Sequence, residues 1–346
     1  MAVLAIVTSS PPGVEGGHLV IARSLVQAAR QAGHDAQLVI TADFGFGRQT
    51  RSYAANYLHD VTRIGGRPVD QVISLRYPSY AVRHRRHVCW LNHTMREYYD
   101  QWPAFAASIS WRNRVKERAR RVLTHAADRY FLKHHVTRLL AQSRTIQQRL
   151  AHDFGTRADV LFPPPPQRHY RCDLYGPDIF TVSRLTPHKR VDLVMRAIAE
   201  PAARHVRLTI AGDGECRAEL ERLAATLGIG GRVTFLGGID DDALLDRLAR
   251  CRAVCFAPIE EDYGLVTVEA FAARKAVVTC RDSGGPAELV RDGESGFVCE
   301  ATPSAVALAL ARLTDDQALA ERLGMIAAAQ VAEMSWDAAV RELVIV

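Results

Sequence analysis

The sequence predicts an α/β protein with two Rossmann-like domains. Three observations support this prediction. Short apolar runs alternate with longer amphipathic runs along the chain, the pattern stops at four consecutive prolines and then restarts, and a length of 346 residues suits two domains of common size. Such alternation is typical of parallel strands joined by helices.

The first array covers residues 1–162. VLAIVT (3–8) is expected to form a buried strand, and HLVIARSLVQAARQAG an amphipathic helix that ends at Gly33. Further strands are predicted for AQLVIT, QVISLR, HVCWLNH, LLAQS and ADVLF. Four prolines can neither donate to a sheet nor continue a helix, so we expect residues 163–177 to form a stiff interdomain connector.

The second array covers residues 178–330. DIFTVS is expected to form its first strand and KRVDLVMRAIAE its first helix; the later strands are VRLTIAG, GRVTFLG, RAVCFAP, KAVVTC and GFVCE. Residues 331–346 are predicted to form a C-terminal helix that packs back on the first domain. We expect the domains to face each other across a cleft, because ligands of such sheets bind at the carboxyl ends of the strands.

Composition excludes several classes of protein. A hydrophobic content of 48% and a charged content of 24% indicate a globular chain. No apolar run approaches the ~20 residues of a membrane-spanning helix, and the first apolar run lacks the basic flank of a signal peptide. The seven cysteines are scattered without a CxxC spacing. Reduced thiols and a cytoplasmic protein are therefore expected.

Charge is divided unevenly along the chain. Residues 1–170 carry 24 Lys and Arg against 11 Asp and Glu, a net charge of +13, and the remaining residues carry 20 against 27, a net charge of −7. This asymmetry suggests that the first half meets an anionic partner. Much of the charge lies in the predicted helix at 110–135, which suits a membrane surface, an anionic soluble acceptor or an ordinary solvated face. No aromatic platform or known module supports nucleic-acid binding.

Several glycines and cations are predicted to stand at strand ends. Gly16 and Gly17 separate the first strand from the first helix, where a phosphate can approach bare N–H groups, although turn glycines are common. Arg184 and Lys189 follow DIFTVS, where two cations can point at one diphosphate or remain solvated. Gly212 ends the strand in LTIAG and leaves room for a nucleotide.

The stretch EEDYGLVTVEAFAARKAVVT places Glu261 and Glu269 on either side of a Tyr-Gly turn. After Gly264, the N–H groups of Leu265 and Val266 are expected to be free for a phosphate at a helix start. Glu269 would lie one turn into that helix, where a carboxylate accepts hydrogen bonds from ribose hydroxyls, and Glu261 would reach the next group of the ligand. The spacing therefore suits two ends of one sugar nucleotide, with a solvated surface pair as the alternative.

This stretch, with SGGPAELV, DGESGFV, SRLTPHKRVDLVMRA and the early Gly-Gly, resembles the retaining glycosyltransferases of family 4 (glycosyl transferases group 1), which have the GT-B fold. The resemblance spans most of the chain and is most specific in its second half. It implies that Arg184 and Lys189 bind the diphosphate of a nucleotide sugar. It also implies that Glu269 holds the ribose and Glu261 the hydroxyls of the transferred sugar.

The same resemblance implies roles for backbone groups and for one histidine. Amides around Gly264 to Val266 would assist both glutamates, and the base would pack near Gly238 and Ile239. His93 follows the strand HVCWL and resembles the family's cleft histidine near the reacting centre, with a satisfied buried histidine as the alternative.

Two further groups of residues complete the predicted site. Arg96, Tyr98 and Asp100 are candidates for the acceptor side. Asp240, Asp241 and Asp242 precede the helix ALLDRLAR, so N-capping is expected there in preference to metal binding. Two cations on the diphosphate make a metal unnecessary, and no metal or other cofactor is expected.

We therefore expect a retaining, metal-independent hexosyltransferase. It would move a sugar from a nucleoside-diphosphate-sugar to a hydroxyl of an acceptor glycan, glycolipid or small molecule, in the cytoplasm or at the inner membrane surface. The alternatives are a GT-B-fold sugar-nucleotide epimerase or phosphorylase, and a non-catalytic protein that binds anions or nucleic acid through its basic first half.

Overall fold

The computed structural model describes residues 1–11, 13 and 16–346. The chain forms two compact units. The first unit comprises Met1–Pro166 and Ser335–Val346, and the second unit comprises Gln167–Met334. Each unit is built on a six-stranded sheet flanked by helices, which confirms the predicted α/β fold class of two Rossmann-like arrays.

The first unit follows the predicted alternation of strands and helices. Its elements are β1 (Val3–Ser10), α1 (Gly17–Gln31), β2 (Asp35–Ala42), α2 (Gln49–Leu58), β3 (Arg63–Ile64), β4 (Arg67–Pro68), β5 (Gln71–Ser74), β6 (His87–Leu91), α3 (Trp102–Ser108), α4 (Trp111–His134), β7 (Arg138–Ala141), α5 (Arg144–Phe154) and β8 (Asp159–Val160), with 3-10 helices at Ser79–Ala81 and Arg96–Tyr98. The sheet order is β2-β1-β5-β6-β7-β8, with parallel neighbours. The short antiparallel pair β3–β4 was not predicted.

The second unit repeats the pattern. Its elements are β9 (Asp178–Val182), α6 (Val191–Ala199), β10 (Arg207–Ala211), α7 (Arg217–Thr226), β11 (Val233–Gly237), α8 (Asp241–Arg250), β12 (Ala253–Cys255), α9 (Leu265–Ala272), β13 (Val277–Cys280), α10 (Gly285–Leu289), β14 (Gly296–Cys299), α11 (Pro303–Asp315) and α12 (Gln317–Ala332), with 3-10 helices at Pro187–Lys189, Pro201–Ala203 and Gly230–Arg232. The sheet order is β11-β10-β9-β12-β13-β14, again with parallel neighbours.

The last helix, α13 (Trp336–Leu343), belongs to the first unit. Gln71 Nε2 donates to the carbonyl oxygen of Leu343 at 2.6 Å, and the indole N–H of Trp336 donates to the carbonyl oxygen of Pro165 at 2.8 Å. These bonds tie the C-terminal helix to the start of β5 and to the proline tract. Among the described residues, no helix is both long and apolar enough to span a bilayer.

A fully buried carboxylate, Asp128 on α4, joins the elements beside the first sheet. The hydroxyl groups of Tyr53, Tyr80 and Tyr99 all donate to it, that of Tyr99 at 2.6 Å. Burial raises the pKa of Asp128 to about 6, and the three hydrogen bonds oppose that rise. One side chain therefore connects α4 to α2 and to two segments that follow β5 and β6.

Replacing Asp128 by Ala is expected to destabilise the first unit, because three buried hydroxyls lose their acceptor. Each unsatisfied buried group costs about 1–3 kcal/mol, so we expect a loss of at least ~3 kcal/mol in the free energy of unfolding, measured by urea denaturation. Asp159→Ala is the control, because the Asp159 side chain is 82% exposed. A loss below ~1 kcal/mol for Asp128→Ala would show that the cluster is not a stabilising centre.

Candidate functional site

The predicted donor-binding residues gather at one edge of the second sheet. Lys189 follows β9, Gly212 follows β10, Ile239 follows β11, and both Glu261 and Gly264 follow β12. These strands are parallel, so their carboxyl ends meet at the same edge, where ligands of such sheets bind. Arg184 also follows β9, and its exposed side chain makes no hydrogen bond or ion pair with the described residues.

Lys189 and Glu261 form an ion pair at this edge. The distance from Lys189 Nζ to Glu261 Oε2 is 2.5 Å, and both side chains are partly buried. The same ammonium group lies 5.4 Å from the centroid of the Phe256 ring. Lys189 ends the 3-10 helix Pro187–Lys189, which turns the chain from β9 into α6. The pair thus places one cation and one carboxylate side by side.

The backbone of Glu261 is held by the segment that follows β13. Glu261 N donates to the carbonyl oxygen of Ser283 at 2.9 Å, and Gly285 N donates to that of Glu261 at 2.9 Å. An added Cβ at Gly284 would lie 2.4 Å from the carbonyl oxygen of Glu261, and its φ is +68°. Only glycine fits such an approach in this conformation. The SGGP sequence therefore serves to position Glu261.

Arg190 was missed by the sequence analysis, although it directly follows Lys189. Its guanidinium forms two hydrogen bonds of 2.7 Å to the carboxylate of Asp282. It also donates to the carbonyl oxygens of Ala257 and Pro258, both at 2.8 Å. A bidentate arginine is a rigid clamp, so Arg190 fixes the segment after β12 against the segment after β13. Its φ of +47° is a second unusual feature that no sequence pattern revealed.

Glu269 on α9 is almost fully buried, at 4% exposure. Its Oε1 accepts hydrogen bonds from Arg168 Nη1 at 2.5 Å and from Tyr170 Oη at 3.2 Å. Burial raises the pKa of Glu269 to about 7, although Arg168 and Tyr170 both lower it. Its Oε2 makes no hydrogen bond with the part of the chain that the structure describes. That oxygen can therefore accept from a ligand.

Arg168 and Tyr170 are site residues that the sequence analysis missed. They lie in the irregular segment between the proline tract and β9, which has neither helical nor strand periodicity. Arg168 also donates to Asp241 Oδ1 at 2.7 Å. The only signal in the sequence was a cation and an aromatic residue directly after the four prolines, and such a signal does not identify a partner 101 residues away.

The turn at Gly264 leads directly into α9. Gly264 has φ +83°, and an added Cβ would lie 2.6 Å from Cγ of Pro286. It occupies the N-cap position, and no side chain caps this helix. The N–H groups of Leu265 and Val266 donate no hydrogen bond to any of the described residues. The helix start therefore presents unpaired donors and the positive end of a helix dipole.

The glycines after β10 have a structural reason in addition to the one predicted for Gly212. An added Cβ at Gly212 would lie 1.8 Å from the carbonyl oxygen of Ser183, and one at Gly214 would lie 2.4 Å from that of Leu185. The loop after β9 packs against both glycines, and this packing alone requires residues without a Cβ. The assignment of Gly212 to a nucleotide stays a prediction. Gly238 has open space at its Cβ position, and Ile239 is partly exposed.

The three consecutive aspartates 240–242 stand at the start of α8, and the first two have different partners. Asp240 caps the helix, because its carboxylate accepts from Ala243 N at 2.8 Å, as predicted. Asp241 pairs with Arg168, which was not predicted. No group of three or more His, Cys, Asp or Glu side chains suited to a metal occurs within residues 1–11, 13 and 16–346.

In the first unit, Gly16 caps α1 and Gly17 is the first residue of that helix. The rest of the predicted Gly-rich turn is only partly described, since Pro12, Val14 and Glu15 lie outside the described residues. The predicted His93 follows β6 and is half-buried, and its Nδ1 donates to the carbonyl oxygen of Thr94 at 2.7 Å. His93 is therefore not a fully buried core residue.

A polar cluster beside the ends of β1, β2 and β5 was missed. Arg76 Nη1 lies 3.2 Å from His18 Nε2, and Arg76 Nη2 lies 3.5 Å from Asp43 Oδ2. The three residues come from three segments far apart in sequence. They lie after strand ends of the first sheet, which is where such sheets bind ligands.

One of the three acceptor-side predictions, Tyr98, needs correction. Tyr98 is fully buried, and its hydroxyl donates to Glu117 Oε2 at 2.5 Å, so it is not available to a ligand. Arg96 donates to Asp100 Oδ2 at 3.0 and 2.6 Å through its Nε and Nη2, and Arg149 lies 3.3 Å from the same oxygen. Arg96 and Asp100 thus form an ion pair, and their assignment to the acceptor side stays a prediction.

Residues 173–330 match the family described as glycosyl transferases group 1. Curated relatives are similar to about half of the chain. The chain is 34% identical over 169 residues to the D-inositol 3-phosphate glycosyltransferase of Streptomyces griseus, covering 45% of this chain and 35% of the relative. It is 32% identical over 185 residues to the GDP-mannose-dependent alpha-(1-6)-phosphatidylinositol monomannoside mannosyltransferase of Mycolicibacterium smegmatis, covering 49% and 48%. The chain thus spans a third to a half of these relatives.

Solved structures resemble the chain over nearly its full length. Anabaena HepE in complex with UDP and glucose has a TM-score of 0.69 at 16% identity, covering 98% of both chains. The sucrose-phosphate synthase of Thermosynechococcus elongatus has a TM-score of 0.77 at 16% identity, covering 98% of this chain and 97% of that one. Identity this low shows the fold alone, and the fold is GT-B.

The raised pKa of Glu269 predicts a pH-dependent contribution to stability. Its folded pKa of about 7 lies above the ordinary value of 4.5, so the contribution is present at low pH and is lost as the pH rises through 7. Relative to Glu269→Gln, the wild type should lose about 1–3 kcal/mol of unfolding free energy between pH 5 and 7.5, measured by urea denaturation. Glu261→Gln is the control with a partly exposed carboxylate. If the unfolding free energies of wild type and Glu269→Gln changed with pH in parallel, the raised pKa of Glu269 would be contradicted.

Proposed function

We propose that this chain, whose second unit is a glycosyl transferases group 1 domain, transfers a sugar from a nucleoside-diphosphate-sugar to an acceptor hydroxyl. The observation that carries the proposal is the set of groups at the carboxyl edge of the second sheet. A lysine–glutamate pair, an uncapped helix start and a buried carboxylate occur together there. A diphosphate needs cations and amides, and ribose needs an acceptor.

We assign one part of the donor to each group. Lys189 and Arg184 bind the diphosphate, and the amides of Leu265 and Val266 assist them. Glu269 accepts from the ribose hydroxyls, for which its Oε2 is available. Glu261 holds hydroxyls of the transferred hexose. The base packs near Gly238 and Ile239.

The reaction proceeds with retention and without a metal in this proposal. The acceptor oxygen attacks the anomeric carbon on the face that the diphosphate leaves, and the acceptor proton passes to an oxygen of the departing diphosphate. Lys189, Arg184 and the helix start stabilise the negative charge that grows on this leaving group. His93 contributes from the first unit to the reacting centre.

Donor turnover tests this function. The protein is incubated with UDP-glucose and with GDP-mannose, and released UDP or GDP is measured with and without EDTA. We expect release from one donor, unchanged by EDTA. If neither donor releases its nucleotide although the protein binds it, the result would favour the non-catalytic alternative. Activity that EDTA abolishes and Mn²⁺ restores would contradict the metal-free mechanism, and conversion of the sugar without nucleotide release would indicate an epimerase.

Lys189→Ala should reduce kcat by roughly 10²-fold while changing the affinity for the donor less, because charge on the diphosphate is greatest in the transition state. The measurement is nucleotide release at saturating donor, with the dissociation constant determined separately by calorimetry. Arg204→Ala is the matched control, since Arg204 is an exposed cation before the amino end of β10, at the opposite edge of the sheet. Full turnover in Lys189→Ala would exclude its assigned role.

We also propose that α4 contacts an anionic membrane surface. This helix exposes apolar and cationic side chains together: Trp111, Val115 and Val122 are 70%, 62% and 68% exposed, and Lys116 and Arg118 are exposed beside them. Apolar and basic residues on one exposed surface are typical of helices that lie in a membrane interface.

The double variant Lys116→Gln/Arg118→Gln should weaken binding to anionic vesicles by about an order of magnitude, because each cation near such a surface contributes ~1 kcal/mol. Co-sedimentation with phosphatidylglycerol vesicles measures this effect, and phosphatidylcholine vesicles provide the neutral comparison. Arg204→Gln, which removes one exposed positive charge from the second unit, is the control. Equal sedimentation of wild type and double variant would remove the electrostatic basis of the proposal.

A further inference from the structure

A groove of about 700 Å³ lies between α2 and α4 in the first unit. This volume is in the range of pockets that hold small molecules. The groove contains none of the residues assigned to the donor, and it is separate from the cluster of His18, Arg76 and Asp43. Among the described residues that line it, none is acidic, whereas three are arginines: Arg48, Arg51 and Arg120.

The groove has a cationic end and an aromatic end. At the start of α2, an added Cβ at Gly47 would lie 3.3 Å from Arg120 Nη1, which brings the beginning of α2 beside the middle of α4. Further along, the rings of Tyr53 and Phe131 stack at 5.4 Å, and those of Tyr57 and Phe131 are 6.1 Å apart. The two helices therefore run in the same direction. Since α2 has ten residues, the cationic and aromatic ends are roughly 15 Å apart.

The positive charge at the cationic end is only partly compensated. Arg120 pairs with Glu117 at 2.6 Å. Arg51 stacks over the Phe44 ring at 4.3 Å, an interaction that leaves its charge in place. Arg48 is exposed, and its side chain makes no hydrogen bond or ion pair with the described residues. It is also the N-cap residue of α2, and no side chain caps that helix. Two arginines and the helix start thus favour an anion at this end.

The walls beyond the arginines are apolar. Leu123 and Tyr130 are 64% and 52% exposed on α4, and Ala54 on α2 faces the same groove. The hydroxyl of Tyr53 is bound to Asp128, so that residue offers its ring to the groove. Exposed apolar side chains that line a concave surface are typical of ligand sites.

We infer that this groove binds a single-chain anionic amphiphile, with its phosphate or carboxylate head at Arg48 and Arg51 and its alkyl or isoprenoid chain along Tyr57, Leu123 and Phe131. Charge complementarity selects the head, and the gradient from cationic to aromatic residues sets its direction. The inference does not depend on sugar transfer, because every residue that carries it lies in the first unit and outside the proposed donor site.

Calorimetric titration with monomeric dodecyl phosphate, below its critical micelle concentration, tests the inference. Dodecyltrimethylammonium has the same chain and the opposite charge. We expect dodecyl phosphate to bind at least tenfold more tightly, and Arg48→Gln/Arg51→Gln to abolish that difference. Equal affinity for the two amphiphiles in the wild type would overturn the inference, because the groove would then be a non-selective apolar surface.

Filling the groove provides a second test. Ala54→Trp should reduce the affinity for dodecyl phosphate at least tenfold, whereas Ala126→Trp, on an exposed position of α4 outside the groove, should leave it unchanged. Thermal unfolding confirms that each variant is folded. Phosphatidic acid vesicles distinguish a free amphiphile from a membrane lipid. If the ligand is a free amphiphile, Ala54→Trp should not change the fraction of protein that sediments with these vesicles. Unchanged dodecyl phosphate binding in Ala54→Trp, or a loss confined to vesicles, would overturn the site.

Discussion

One short parallel bridge, between Glu261 and Gly284, determines the geometry of the second unit's site. Its hydrogen bonds require two chain segments to approach so closely that a side chain at Gly284 would collide with the carbonyl oxygen of Glu261. Arg190 fixes the same two segments through Asp282. Backbone packing therefore fixes the position of Glu261 and the turn into α9 without the help of a ligand. The site is therefore held rigid by Gly284, Arg190 and Asp282, which are not among the residues proposed to contact the donor.

The fold was predictable because its signals are local. Buried parallel strands appear as short apolar runs, and helices as longer periodic ones, so both sheets followed from the sequence. The pair β3–β4 was missed, since two-residue strands carry no period. In the site, residues at strand ends were predictable for the same local reason. Arg168 was not, because it reaches Glu269 from an irregular segment, and no sequence pattern indicated that Gly212 packs against the carbonyl oxygen of Ser183.

The first unit shows a second limit of sequence analysis. Its basic composition indicated an anionic partner but gave no location, because a count of charges does not distinguish a solvated helix face from a concave site. The structure separates the cations into different environments: Lys116 and Arg118 are exposed on α4, whereas Arg48 and Arg51 line a groove. Asp128 is the scaffold for that groove, since it holds Tyr53 against α4. Such a carboxylate looks like any other acidic residue in a helical pattern.

If the chain transfers a sugar as proposed, the ion pair of Lys189 and Glu261 has a consequence for product release. An anion that takes the Lys189 ammonium deprives Glu261 of its counter-charge, and a partly buried carboxylate without a partner is costly. A ligand that brings hydroxyl donors together with its anion compensates Glu261, whereas a bare diphosphate does not. In the proposed reaction, once the sugar has left, the two side chains would pair again and so compete with the remaining nucleotide. The pair would then act as an internal competitor that disfavours retention of the nucleotide product.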